Sequence, residues 1–147
     1  MFDLAEAHNI PTVILSAGVK DIIELWAKTY GINPSVILAT DLIIGRGHRV
    51  VGWDESTLVH TLNKKEKGHS ELSKLRLNRP YSILLGDAES DAAMVEGKDT
   101  VLRILMHNPR SDEDSSADLP KNFDLVCTTG DLTALIQLLR QIVSTVH

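Results

Sequence analysis

Ile83-Leu84-Leu85-Gly86-Asp87-Ala88-Glu89-Ser90-Asp91-Ala92-Ala93-Met94 is the stretch around which the chain is organised. The apolar run from Tyr81 to Leu85 has the length and bounding of a buried strand. Gly86 breaks it, Asp87 stands where a parallel strand would end, and Asp91 follows four residues on. A helix starting near Ala88 would turn Asp91 back toward Asp87. Open α/β sheets bind ligands in crevices at the carboxyl ends of parallel strands. Two carboxylates converging there suit a hard cation with oxygen ligands, Mg²⁺ first. The plainer alternative is a Gly-Asp turn with an aspartate capping the next helix.

Toward the C-terminus, Thr100 to Met106 predicts another strand, and residues 108–122 an acidic, solvated loop. Phe123 to Cys127 predicts a short last strand. Thr129-Gly130-Asp131 then caps a helix whose stripe is Leu132, Leu135, Ile136, Leu139, Ile142, Val143 and Val146. Toward the N-terminus, Pro80 ends a helix over Ser70 to Leu77. Before it lie Lys64, Lys65 and Lys67, a cluster that by itself suits a solvated face. Arg49–Trp53 and Thr57–Thr61 predict a hairpin, making residues 46–62 an excursion from the main sheet. Val36 to Ala39 and Thr12 to Ser16 predict buried strands. Between them Val19, Ile22, Ile23, Trp26, Ala27 and Tyr30 mark one stripe of a helix stopped by Gly31. Ser16 thus falls at a strand end beside a helix N-terminus. It could serve an anion there, with free N–H groups, or simply cap the helix.

The length of 147 residues suits one domain, and 43% apolar with 24% charged residues is ordinary for a globular chain. A net charge of −5 argues against nucleic acid or an anionic membrane as partner. Aromatics at 4% argue against a base-stacking platform. The single cysteine, Cys127, excludes an internal disulfide and fits a reducing compartment. No apolar run approaches the roughly 20 residues of a membrane span, and the acidic N-terminus is unlike a signal peptide. A cytoplasmic location is the expectation. The six histidines show no metal-ligand spacing.

A strand ending in Ser16, a cluster holding Lys64, and Gly-Asp-x-x-x-Asp after a strand stand in a fixed order. Phosphoryl transfer needs a hydroxyl and N–H groups on phosphate oxygens, a cationic side chain, and carboxylates for Mg²⁺. The order resembles the later motifs of the haloacid dehalogenase superfamily of phosphatases. In detail, Ile10 to Val19, Leu58 to Lys64 and Ile83 to Asp91 resemble the cytosolic pyrimidine 5′-nucleotidase family (cytosolic 5′-nucleotidase III type). Met106-His107-Asn108 and Phe123-Asp124-Leu125-Val126 fit it too.

The resemblance implies an α/β fold, a Rossmann-like three-layer sandwich of haloacid dehalogenase type with a mainly parallel sheet. It implies one partial core domain over residues 1–147. Ser16 and the Ala17 N–H would bind phosphate. Lys64 would neutralise the phosphate and the aspartyl-phosphate intermediate. Asp87 would ligate Mg²⁺, and Asp91 would assist through water or by orienting the lysine. The substrate would be a nucleoside 5′-monophosphate, released as nucleoside and phosphate.

Three departures shape the expectation. The Asp-x-Asp-x-Thr signature carrying the family's nucleophile is absent: Asp112-Glu113-Asp114 has the letters but no strand before it. Thr40 stands where the family usually has Asn, and Ser90 where it usually has Gly. The chain is therefore expected to be the C-terminal part of the enzyme, inactive alone, its sheet lacking the central N-terminal strand. The strand ending at Ser16 and the strand ending at Asp87 would then either close together or leave edges for self-association or a missing N-terminal segment. Two other readings stay open: a non-catalytic truncated scaffold, and another phosphatase of the superfamily.

Overall fold

A computed structural model describes residues 1–76, 79–97, 100–107, 121–128 and 131–145, without the side chains of Ser70 and Arg76. The chain divides into two compact units, Met1–Gly68 and His69–His147.

In the first unit, α1 (Phe2–Ala7) precedes a β-α-β run of β1 (Val13–Val19), α2 (Lys20–Thr29) and β2 (Val36–Thr40). β1 and β2 pair in parallel, Val13 opposite Val36 through Leu15 opposite Leu38, as two apolar strands bridged by a helix must. Gly31 ends α2 at φ +65°, and the Ile32 N–H returns to the Ala27 carbonyl at 2.8 Å. Of the expected α2 stripe only Ala27 is buried. Ile22, Trp26 and Tyr30 are 65%, 44% and 68% exposed, with the Trp26 and Tyr30 rings 5.7 Å apart.

The hairpin differs from the expectation. It joins β3 (Leu42–Ile44) to β4 (Val50–Trp53), and Thr57–Thr61 is not a strand. Asp54 explains why: its carboxylate accepts from the Ser56 N–H at 2.8 Å and from the Ser56 hydroxyl at 2.7 Å. That local turn competes with a returning strand. Leu42-Ile43-Ile44 meanwhile offers β-branched residues before a turn that Gly47 completes at φ +72°.

The second unit is built on a parallel sheet of order β5-β6-β7, from β5 (Ser82–Gly86), β6 (Val101–Met106) and β7 (Leu125–Cys127). Leu84, Val101, Ile104 and Leu105 bury the sheet against Ala92, Met94 and Val95, with Leu135 and Val143 of α4 (Thr133–Thr145) also buried. Of the expected α4 stripe, Leu135 and Val143 are buried, Ile136, Leu139 and Ile142 half-buried, and Leu132 exposed. Asp131 starts that helix, its carboxylate accepting from the Thr133 N–H at 2.9 Å and hydroxyl at 2.7 Å. The helix expected from Ser70 begins earlier: α3 (Lys64–Arg76) takes in the lysine cluster. Residues 108–120 of the expected acidic loop, with Thr129, Gly130, Leu77 and Val146, lie outside the described residues.

Among the described residues β1 has β2 as its hydrogen-bonded neighbour, and β5 has β6.

Candidate functional site

β5 delivers Asp87 to its carboxyl end, and the chain then enters a 3₁₀ turn, Glu89–Met94, rather than an α-helix. Asp91 is 2% exposed. Its Oδ2 accepts from the Asp87 N–H at 3.1 Å and the Ala88 N–H at 3.2 Å. Asp91 N–H in turn donates to the Ala88 carbonyl at 2.9 Å. A buried carboxylate needs such donors, and here they also fix the course of the loop. Gly86 makes room: a Cβ on it would stand 2.5 Å from the Asp91 Cβ. Asp87 is exposed, and among the described residues no hydrogen bond or ion pair engages its carboxylate. The two predicted carboxylates are therefore brought together but do different work. Asp91 is spent on the backbone, and Asp87 is presented.

An exposed carboxylate on a fixed loop fits a hard cation that keeps several waters, as Mg²⁺ does. Among the described residues no group of three or more His, Cys, Asp or Glu side chains forms a ready metal cage. Asp87 is the exposed carboxylate at the end of β5 and would be the direct ligand.

Ser16 lies within β1 rather than at its end. Pairing with β2 lapses between Leu15 and Val19, where Ser16, Ala17 and Gly18 face only Ala39. The Ser16 Oγ accepts from the Gly18 N–H at 3.0 Å, and Ala17 is exposed. The bulge leaves the hydroxyl proton to donate to an acceptor oxygen. Val19, not Ser16, is the N-cap of α2, which removes the capping alternative.

Lys64 opens α3 and is half-buried. Asn63 shapes the approach, accepting from the His60 N–H at 2.8 Å and donating to the Leu58 carbonyl at 2.9 Å. Lys67 donates to the Ser56 carbonyl and so serves the turn before the helix. The Ser56 hydroxyl and N–H, with nearby Lys67, hold the Asp54 carboxyl below its ordinary value. Ser16, Ala17 and Lys64 belong to the first unit, Asp87 and Asp91 to the second.

Arg103 was not singled out from the sequence. Standing opposite Leu84 in β6, it reaches the segment after the aspartate loop and donates to the Ala92 carbonyl at 3.1 Å and the Val95 carbonyl at 2.8 Å. Nothing in a lone arginine on a strand signals this, because the acceptors are backbone. A cavity of about 50 Å³ between His69, Leu72, Ser73, Met94, Val95 and Glu96 has room for water, not a nucleotide.

A model of the pyrimidine 5′-nucleotidase (UMPH-1) family matches residues 1–146. The chain belongs to that family. Two of the relatives it is similar to are the 7-methylguanosine phosphate-specific 5′-nucleotidases of Gallus gallus and Rattus norvegicus. The first is 30% identical over 71% of this chain and 37% of the relative, the second 31% identical over 71% and 36%. The chain therefore spans little more than a third of the relatives it matches. Among solved structures, cytosolic 5′-nucleotidase IIIB bound to cytidine covers 98% of this chain at TM-score 0.76 and 22% identity, half of that chain being matched. A substrate-bound phosphoserine phosphatase covers 92% at TM-score 0.60 and 17% identity. These likenesses give the chain the α/β fold of those phosphatases, with which its mainly parallel pairing agrees. No described helix is long and apolar enough to cross a membrane.

Proposed function

We propose that this chain is the phosphate- and Mg²⁺-binding part of a cytoplasmic 5′-nucleotidase that hydrolyses nucleoside 5′-monophosphates. The observation that carries this is the loop after β5. A buried Asp91 holds two successive N–H groups and leaves Asp87 exposed at the carboxyl end of a parallel strand. Asp87 would hold Mg²⁺, which when bound neutralises phosphate charge. The Ser16 hydroxyl donates to a phosphate oxygen, and the Ala17 N–H supports it. Lys64 sets its ammonium against the phosphate's charge. Asp91 acts by shaping the loop that presents Asp87.

The substrate class rests on relatives alone. The family name points to pyrimidines and the curated relatives' names to 7-methylguanosine phosphate. What these share is a 5′-phosphomonoester on a nucleoside. No Asp-x-Asp-x-Thr occurs in the sequence, so the chain has nothing to form an aspartyl-phosphate and does not turn over alone. Incubation with Mg²⁺ and cytidine, uridine or 7-methylguanosine 5′-monophosphate will release no phosphate. Broadening of the ³¹P line of inorganic phosphate will require Mg²⁺ and will vanish in Asp87→Asn. Turnover in the unsubstituted chain, or phosphate binding indifferent to Asp87→Asn, contradicts the proposal.

A further inference from the structure

We propose that Arg103 is a positioning residue for the cation loop, acting by closing the far end of the turn that Asp91 closes at the near end. This rests on the reading of Asp87 as the Mg²⁺ ligand. The turn Glu89–Met94 is a single stretch of 3₁₀ helix, and the carbonyls that follow such a turn have no partners within it. Met94 and Val95 are buried, so water cannot serve those carbonyls freely. Arg103 serves them. Its Nε donates to the Ala92 carbonyl at 3.1 Å and one terminal nitrogen to the Val95 carbonyl at 2.8 Å. Both terminal nitrogens close on the Gly97 carbonyl at 3.2 Å, and one reaches the Val101 carbonyl at 3.5 Å.

The guanidinium is suited to this in two ways. Its planar fork spreads five donors over acceptors that one ammonium could not reach together. Its positive charge also sits at the carbonyl end of the turn, where a cation is favoured. Arg103 is itself held in β6 by Asp124, whose Oδ2 accepts from the Arg103 N–H at 2.8 Å and whose N–H donates to the Arg103 carbonyl at 2.9 Å. The path is therefore short: the sheet holds Arg103, Arg103 holds the carbonyls of the turn, and the turn holds Asp91 against the Asp87 N–H. If either end slackens, the Asp87 carboxylate loses its fixed position.

The test uses the ¹⁵N-labelled chain, with Mn²⁺ as probe and Arg103→Lys and Arg103→Ala as variants. In the unsubstituted chain Mn²⁺ is expected to broaden the amides of Gly86 to Asp91. If it does not, the reading of Asp87 falls and this proposal with it. If it does, Arg103→Lys is expected to weaken Mn²⁺ on the order of 10- to 100-fold, as loss of a partner behind a ligand does. Exchange of the Asp87 and Ala88 amide hydrogens should quicken, while the β6-β7 ladder keeps its protection. Ethylguanidinium should restore Mn²⁺ affinity to Arg103→Ala, or to Arg103→Gly if the alanine variant fails to fold. Unchanged Mn²⁺ affinity in Arg103→Lys overturns the proposal. So does loss of protection throughout the β6-β7 ladder, which would make Arg103 a support of the whole unit.

Discussion

Gly86 has no room for a methyl group. A Cβ there would meet the Asp91 side chain at 2.5 to 3.2 Å, and Asp91 is buried and tied to two N–H groups. Gly86→Ala should therefore cost about 1–3 kcal/mol in urea unfolding. It should also expose Asp91, seen as faster exchange of the Ala88 amide. A variant as stable as the parent would mean that Asp91 moves aside cheaply. Asp131 gives a prediction in pH. Hydrogen bonds from the Thr133 hydroxyl and N–H lower its carboxyl below the ordinary 3.8. A lowered folded value means the stabilisation is complete above the unfolded value and is lost as pH falls through the folded one. Helicity of α4 should thus decline below about pH 3.8. In Asp131→Ala it should start lower and depend less on pH in that range.

Elements were legible where one periodicity acts alone. β5 and β6 are short apolar runs between breakers, and the α4 stripe buries Leu135 and Val143. β1 and α2 were only half legible. The letters of β1 predict a strand ending at Ser16, but the bulge from Ser16 to Gly18 depends on a serine hydroxyl taking the Gly18 N–H, a local competition that apolar patterning does not register. The α2 stripe is real as a pattern, yet Ile22 and Tyr30 are 65% and 68% exposed. Periodicity says which residues share a face, not what covers it. Ile22→Lys should change stability by no more than about 0.5 kcal/mol. Leu135→Ala, 4% exposed in α4, should cost about 2–5 kcal/mol by thermal unfolding. A large loss in Ile22→Lys would show that the face is covered. The hairpin and Arg103 were missed for a common reason: both are decided by hydrogen bonds between residues distant in type, Asp54 with Ser56 and a guanidinium with backbone carbonyls.

At the scale of the molecule, the chain belongs to the pyrimidine 5′-nucleotidase (UMPH-1) family and carries its candidate groups on three separate elements. β1 brings Ser16, α3 brings Lys64 and β5 brings Asp87, each set by contacts within its own unit. The central claim is that the loop after β5 holds out Asp87 to take Mg²⁺, and phosphate through it. A crystal structure of the chain grown with Mg²⁺ and inorganic phosphate tests it most directly. The account predicts Mg²⁺ about 2.0–2.1 Å from an Asp87 carboxylate oxygen, with a phosphate oxygen on the same ion. Mg²⁺ bound elsewhere, with the Asp87 carboxylate away from it, would contradict it.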